Sequence, residues 1–164
     1  IGLKFDHDVP PRLCWGYYSD HAHWMRFECP PHIGYAKLKQ CCDGHQGDQS
    51  GGGGGGKKNC FVFTTNADGM FERTGWDETK IYLPQGDFKW LQCSTPCSRD
   101  AVFPALPYYE RMMAHIDKAT QCLESEEDVP RCPRCKAMLR INGRGDDTFI
   151  HDPYQPTQMR LVKW

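Results

Sequence analysis

Two close cysteine pairs have a spacing suited to chemistry: Cys93 and Cys97 in CSTPC, and Cys132 and Cys135 in CPRC. Each short turn aims two thiolates at one point. Two such turns joined by a longer segment supply the four soft ligands that a tetrahedral zinc ion takes at about 2.3 Å. Redox or disulfide pairs are the other use of this pattern. Four thiolates leave no coordination position for water, so the expected role of zinc is structural. A second constellation lies at residues 61–69, FVFTTNADG, where an apolar run passes into Thr64, Thr65, Asn66, Asp68 and Gly69. Ligands of a parallel sheet bind in the crevice beyond the carboxyl ends of its strands, and polar residues clustered there could hold one. Asn, Asp and Gly also end strands simply by turning the chain.

The chain has 164 residues, with 20 basic against 21 acidic side chains, so its balance points to neither a nucleic-acid backbone nor an anionic membrane surface as partner. No apolar run approaches the roughly 20 residues of a membrane helix, and none marks a secretory leader. The opening IGLKFDHDVP has no initiating Met and reads as the interior of a longer product. Of the ten cysteines, Cys14, Cys29, Cys41, Cys42, Cys60 and Cys122 lack paired spacing and are expected to be core or loop thiols. Unpaired thiols beside a zinc site suit a reducing, intracellular compartment.

The elements that must position these groups are legible in outline. Residues 12–40 predict a helix, a break at Pro30-Pro31 and a second helix over IGYAKLKQ, with Trp15, Trp24 and Phe27 as core. Residues 43–58, DGHQGDQSGGGGGGKK, read as an inserted loop or linker, and Lys57-Lys58 lack the Ser or Thr that a phosphate-binding loop needs. The strand CFVFTT, a short helix near GMFERTG and a strand at KIYLP follow. Between the cysteine pairs, YYERMMAHIDKATQCL places Tyr108, Met112, Ile116 and Leu123 on one helical face, with His115 inside the helix and ESEEDVP as its solvated end.

The order TTNADGMFERTG, IYLPQGDFKWLQC, paired cysteines resembles the sirtuins, NAD-dependent protein deacylases and ADP-ribosyl transferases. Thr65, Asn66, Asp68 and Gly69 match one family motif, and Gly86 with Leu91-Gln92-Cys93 another. The four cysteines match the family's zinc module. WGYYSDHAHWMRFECPPHIGYAKL and CPRCKAMLRINGRGDDTFIHD are similar to the flanking segments, most of all those of macrodomain-linked sirtuins. The resemblance implies an α/β fold, a partial Rossmann-like parallel sheet with a small four-cysteine zinc-binding module. Residues 1–92 would form the Rossmann-like part, 93–135 the zinc module with a helical insert, and 136–164 the return. The family's G-A-G-x-S segment and its later strands are not in this sequence.

The resemblance assigns Thr65, Asn66, Asp68 and Gln85 to NAD. Asn66 would hold the nicotinamide ribose or a water beside the attacked carbon, and Asp68 would accept a hydrogen bond from the nicotinamide carboxamide. Arg144 and Asp146, in a stretch the family uses to bind substrate as an added strand, become substrate contacts; a solvent-exposed turn is the plain alternative. Gln85 stands where most sirtuins have a His acting as general base, and an amide cannot take that proton. ADP-ribosyl transfer or NAD hydrolysis on a protein substrate is then expected over efficient deacetylation. An inactive zinc-stabilised interaction module, completed by partner chains in a larger assembly, is the competing reading. As an inserted loop, residues 51–56 should be dispensable: their deletion is expected to change stability by less than about 1 kcal/mol in denaturant unfolding, because closure entropy varies slowly with length.

Overall fold

Pro11 opens the first helix of the described residues, which are 9–44 and 59–164 of this computed structural model. A first-turn N–H has no helical partner, so proline loses nothing there. Helix α1 (Pro11–His23) continues into a π-turn over Trp24–Glu28, closed where Cys29 N–H donates to Trp24 O at 2.7 Å. That wider turn shifts the helical phase. Arg26 goes inside at 4% exposure and Trp24 is left 48% exposed, which corrects the expectation of Trp24 as core; Trp15 is fully buried and Phe27 packs against the core.

After the proline break, α2 (Ile33–Asp43) is capped by His32, whose Nδ1 accepts from Gly34 N–H at 3.1 Å, and ends at Gly44 with φ 79°. The rest of the glycine-rich stretch, 45–58, lies outside the described residues. The end of α2 and the start of the next strand come together, and Cys42 and Cys60 form a disulfide with Cα atoms 6.1 Å apart. This corrects the expectation of free thiols at those two positions.

Strand β1 (Val62–Phe63) pairs in parallel with β2 (Ile81–Tyr82) across α3 (Met70–Arg73), in the register Val62 to Ile81. This pair is the expected Rossmann-like element, reduced to two strands. The larger sheet is antiparallel, ordered β4-β3-β7, from β3 (Gly86–Cys93), β4 (Val102–Pro104) and β7 (Leu139–Gly143).

Between β4 and β7 the expected long helix is short. Helix α4 (Leu106–Met113) stops, and Ile116 and Leu123 face each other across a hairpin, β5 (Ile116–Asp117) and β6 (Cys122–Leu123). The Asp117 carboxylate accepts from Ala119 N–H and the Thr120 hydroxyl, and Gln121 adopts φ 58°, so local turn chemistry overrides the helical period. His115 therefore follows the helix, 3.8 Å from Glu124. The acidic run becomes a single 3-10 turn over Glu126–Asp128, capped by Ser125. Helix α1 lies on α4 and on this hairpin, and Gly16 permits it: a Cβ there would sit 2.0 Å from Gln121 O.

One core gathers Trp15, Leu91, Tyr109, Met112, Leu123 and Leu139; a second gathers Val62, Ile81, Tyr82, Leu83 and Tyr154 beside α5 (Gln155–Lys163). A buried polar network joins the β-sheet to the return segment. Asn142 Nδ2 donates to Gln92 Oε1 (2.8 Å) and to Ile150 O (3.0 Å), while Tyr154 donates to Asn142 Oδ1 at 2.5 Å. Ile150 N–H donates to Gln92 Oε1, and Gln92 Nε2 donates to Thr148 O. Both amides are thus satisfied, as burial requires. Among the described residues no helix is long and apolar enough to cross a membrane. Tyr154→Phe leaves the buried Asn142 oxygen without its phenol, and should cost about 1–3 kcal/mol in urea unfolding.

Candidate functional site

The polar residues after β1 turn back sharply. Asn66 N–H donates to Thr64 Oγ1 at 3.1 Å, and Met70 N–H donates to Asp68 Oδ1 at 3.0 Å, so Asp68 tends the first turn of α3. Gly69 sits between them at φ 65°, a conformation that favours glycine, and a Cβ there would lie 2.2 Å from the Arg26 guanidinium. Two constraints therefore meet at this one motif glycine.

Arg26 is the buried cation beneath the site. It bonds Asp87 at 2.8 Å through Nε and also pairs with Glu72. Lys89 Nζ stands 3.6 Å from Glu72 and 3.6 Å from Glu78, extending the network to the surface. Burial alone would lower the Arg26 pKa, but Asp87 and Glu72 outweigh it and raise it; burial pushes the Asp87 carboxyl up against the pull of Arg26. Asp87 follows the Gln85-Gly86 pair and Glu72 follows Gly69 in α3, so one guanidinium ties the two motif segments together. Phe88 N–H donates to Ala67 O at 3.1 Å and adds a backbone link.

A shallow cleft, partly open to solvent, is lined by Thr64, Asn66, Asp68, Glu72 and Leu83 among others. The structure brings Asn66 and Asp68 together here. Thr65 and Gln85 are exposed and do not line the cleft; Gln85 stands on the turn before β3, where its carbonyl accepts from Arg144 N–H at 3.0 Å. Arg144 also donates to Pro84 O at 2.9 Å and stacks 4.8 Å over the Phe149 ring, so it clamps the turn carrying Gln85. Gly86, at φ 92°, lets that turn cross β7: a Cβ would meet Asn142 O at 2.0 Å. Asp146 is held by Arg140 at 3.0 Å and by Thr148, whose hydrogen bonds keep its pKa low. Tyr35, read in the sequence only as part of a helix, stands between Asn66 (3.2 Å) and Asp68 (3.4 Å). No local signal marks it, because its partners are 31 and 33 residues away.

The four cysteines converge as their spacing requires. Their sulfurs all lie within 4.8 Å of one another, with Cys93 to Cys135 at 3.5 Å and Cys97 to Cys132 at 3.8 Å. Two thiolates about 2.3 Å from a tetrahedral ion would be about 3.8 Å apart, so the donor set fits zinc. Burial would raise the Cys132 thiol, but hydrogen bonds from the Cys135 and Arg134 backbone, joined by the neighbouring thiols, bring it down to about 7, while burial and the other thiols push that of Cys97 up to about 12, so without a cation the four cysteines share their protons unequally.

No family model matches the chain. A probable bifunctional ADP-ribose hydrolase/ADP-ribosyltransferase of Fusarium oxysporum f. sp. cubense is 38% identical over 107 residues, 65% of this chain. A protein ADP-ribosyltransferase of Staphylococcus aureus is 31% identical over 87 residues, 53% of this chain. The match spans 18% of the first protein and 26% of the second. A Sir2 homologue variant solved with ADP-ribose superposes with TM-score 0.54 and 16% identity, over 93% of this chain and 48% of its own. A sirtuin solved for the basis of substrate affinity gives TM-score 0.58 and 16% identity, over 99% of this chain and 52% of its own. The fold is sirtuin-like. This sirtuin-like chain spans about half of those solved structures. In Cys132→Ser, zinc measured by elemental analysis of protein purified without chelator should fall from about one ion per chain to near none, with a loss of several kcal/mol in thermal unfolding.

Proposed function

We propose that this chain supplies the nicotinamide-ribose side of an NAD-consuming site whose protein transfers ADP-ribose to a protein side chain or to water. The observation that carries the reading is the convergence of Asn66 and Asp68 in one cleft at the carboxyl end of a parallel strand. The names of both curated relatives point the same way. NAD, when bound, supplies a glycosidic bond whose carbon becomes electrophilic as nicotinamide departs.

The chain's own groups divide the remaining work. Asn66 orients the ribose or the attacking group, and Asp68 accepts from the nicotinamide carboxamide. Thr65 borders the same end of the strand. Gln85 can hydrogen-bond a ribose hydroxyl and orient it, but has no pKa near neutrality with which to take its proton. Direct transfer or hydrolysis depends less on that base than deacylation through a ribose-bound intermediate. Arg144 is exposed, clamps the Gln85 turn and could meet substrate at its edge; Asp146 would contribute through the loop it holds with Arg140. Zinc bound by Cys93, Cys97, Cys132 and Cys135 would brace the far end of β3.

In the full-length protein, NAD hydrolysis or ADP-ribosyl transfer should be measurable by nicotinamide release, with deacetylation of a lysine peptide weak. Gln85→His is expected to gain deacetylation by about 100-fold, with a pH dependence near neutrality, and Asn66→Ala to abolish every NAD-consuming activity. Failure of both wild type and Gln85→His to bind NAD by calorimetry would leave the zinc-stabilised interaction module as the function.

A further inference from the structure

We infer that Tyr35 is a positioning residue whose phenol, accepting from Asn66 and donating to Asp68, turns the Asn66 amide so that its carbonyl oxygen is offered to a donor in the cleft. The inference rests on the reading of the cleft given above and deepens it. The argument is one of proton counting. Asp68 Oδ1 already accepts from Met70 N–H, and Oδ2 lies 3.4 Å from the Tyr35 oxygen. A carboxylate only accepts, so the single phenolic hydrogen goes to Asp68. What the Tyr35 oxygen retains toward Asn66, 3.2 Å away, is a lone pair. The Asn66 amide must therefore present its NH₂ to Tyr35, which leaves Oδ1 for the ligand. Without this chain of bonds an exposed asparagine could offer either end.

Tyr35 is itself firmly held. Its N–H donates to His32 O at 3.0 Å, its carbonyl accepts from Trp76 Nε1 at 3.4 Å, and its ring packs edge-on against Phe71 at 4.8 Å between centroids. The phenol is placed by a helix remote in sequence and does not drift with the β1 turn. The ligand group facing Asn66 is then a hydrogen-bond donor: a ribose hydroxyl, or the O–H or N–H of the attacking water or side chain. An acceptor such as a carbonyl or a phosphate oxygen could use only the second Nδ2 hydrogen, because the first is taken by Tyr35.

Two measurements on the full-length protein test this. The first is independent of NAD: titration of the Tyr35 phenol by NMR of ring-labelled tyrosine, its resonance assigned with Tyr35→Phe. Burial raises this phenol above its ordinary value, the Asn66 hydrogen bond opposes the rise, and the Asp68 charge and hydrogen bond add to it. Asn66→Ala is therefore expected to move the phenol pKa further up and Asp68→Asn to bring it down. Shifts in the same direction, or none in either variant, overturn the inference. The second is kinetic. Tyr35→Phe keeps the ring against Phe71 and should lower kcat for nicotinamide release about 10-fold while changing the KM for NAD less than about twofold, with an unchanged melting temperature. Wild-type kcat in Tyr35→Phe overturns it. Absence of NAD turnover in wild type would sink the proposed activity alone, and the titration would still decide the role of Tyr35.

Discussion

A buried guanidinium with two carboxylates holds the site together. Arg26 comes from the π-turn after α1, Glu72 from α3 and Asp87 from the start of β3, three segments that share no backbone ladder at this point. Charges out of water must be paired, and removing one partner of such a set commonly costs about 3–5 kcal/mol. The relative placement of the Asn66-Asp68 turn and the Gln85 turn is thus set by geometry that tolerates little variation. The same cation forbids a side chain at Gly69, so the motif glycine is as much a packing requirement as a conformational one.

Above that anchor the polar groups form two separate systems. Gln92, Asn142 and Tyr154 are internally saturated, and they bind the return segment 146–154 to the sheet. Asn66 is exposed and Asp68 half-exposed along an open cleft, with the half-buried Tyr35 hydrogen-bonded to both. Saturated buried networks rigidify a scaffold, whereas groups at an open edge keep capacity for a ligand. The four-cysteine cluster sits at the opposite end of β3 from Gly86 and begins at its last residue, Cys93. One strand therefore spans from the motif turn to the four-cysteine cluster.

Where the structure departs from the sequence pattern, local chemistry or distant contact explains it. The spacing of Tyr108, Met112, Ile116 and Leu123 suits a helical face, but Asp117 and Thr120 build a turn that pairs Ile116 with Leu123 instead. Trp24 looks like a core residue until the π-turn exchanges it with Arg26, a charged residue that no hydrophobic count would place inside. Cys42 and Cys60 have no spacing signature, because a disulfide is decided by where two chain segments meet.

By itself the sequence determined the features that depend on neighbours within a few residues. These are the paired cysteines that converge on one point, the helix-break-helix around Pro30-Pro31, the parallel strands around a short helix, and the placing of Asn66 and Asp68 at a strand end. Short-range spacing is sufficient there, since a turn of three or four residues has few conformations. Only the tertiary structure decided which groups complete the site. Arg26 reaches Asp87 across 61 positions and Tyr35 reaches Asn66 across 31, and no periodicity encodes such distances. Burial strengthens these pairings because unpaired polar groups are costly once water is excluded, and which residues are buried follows from the packing of the whole chain.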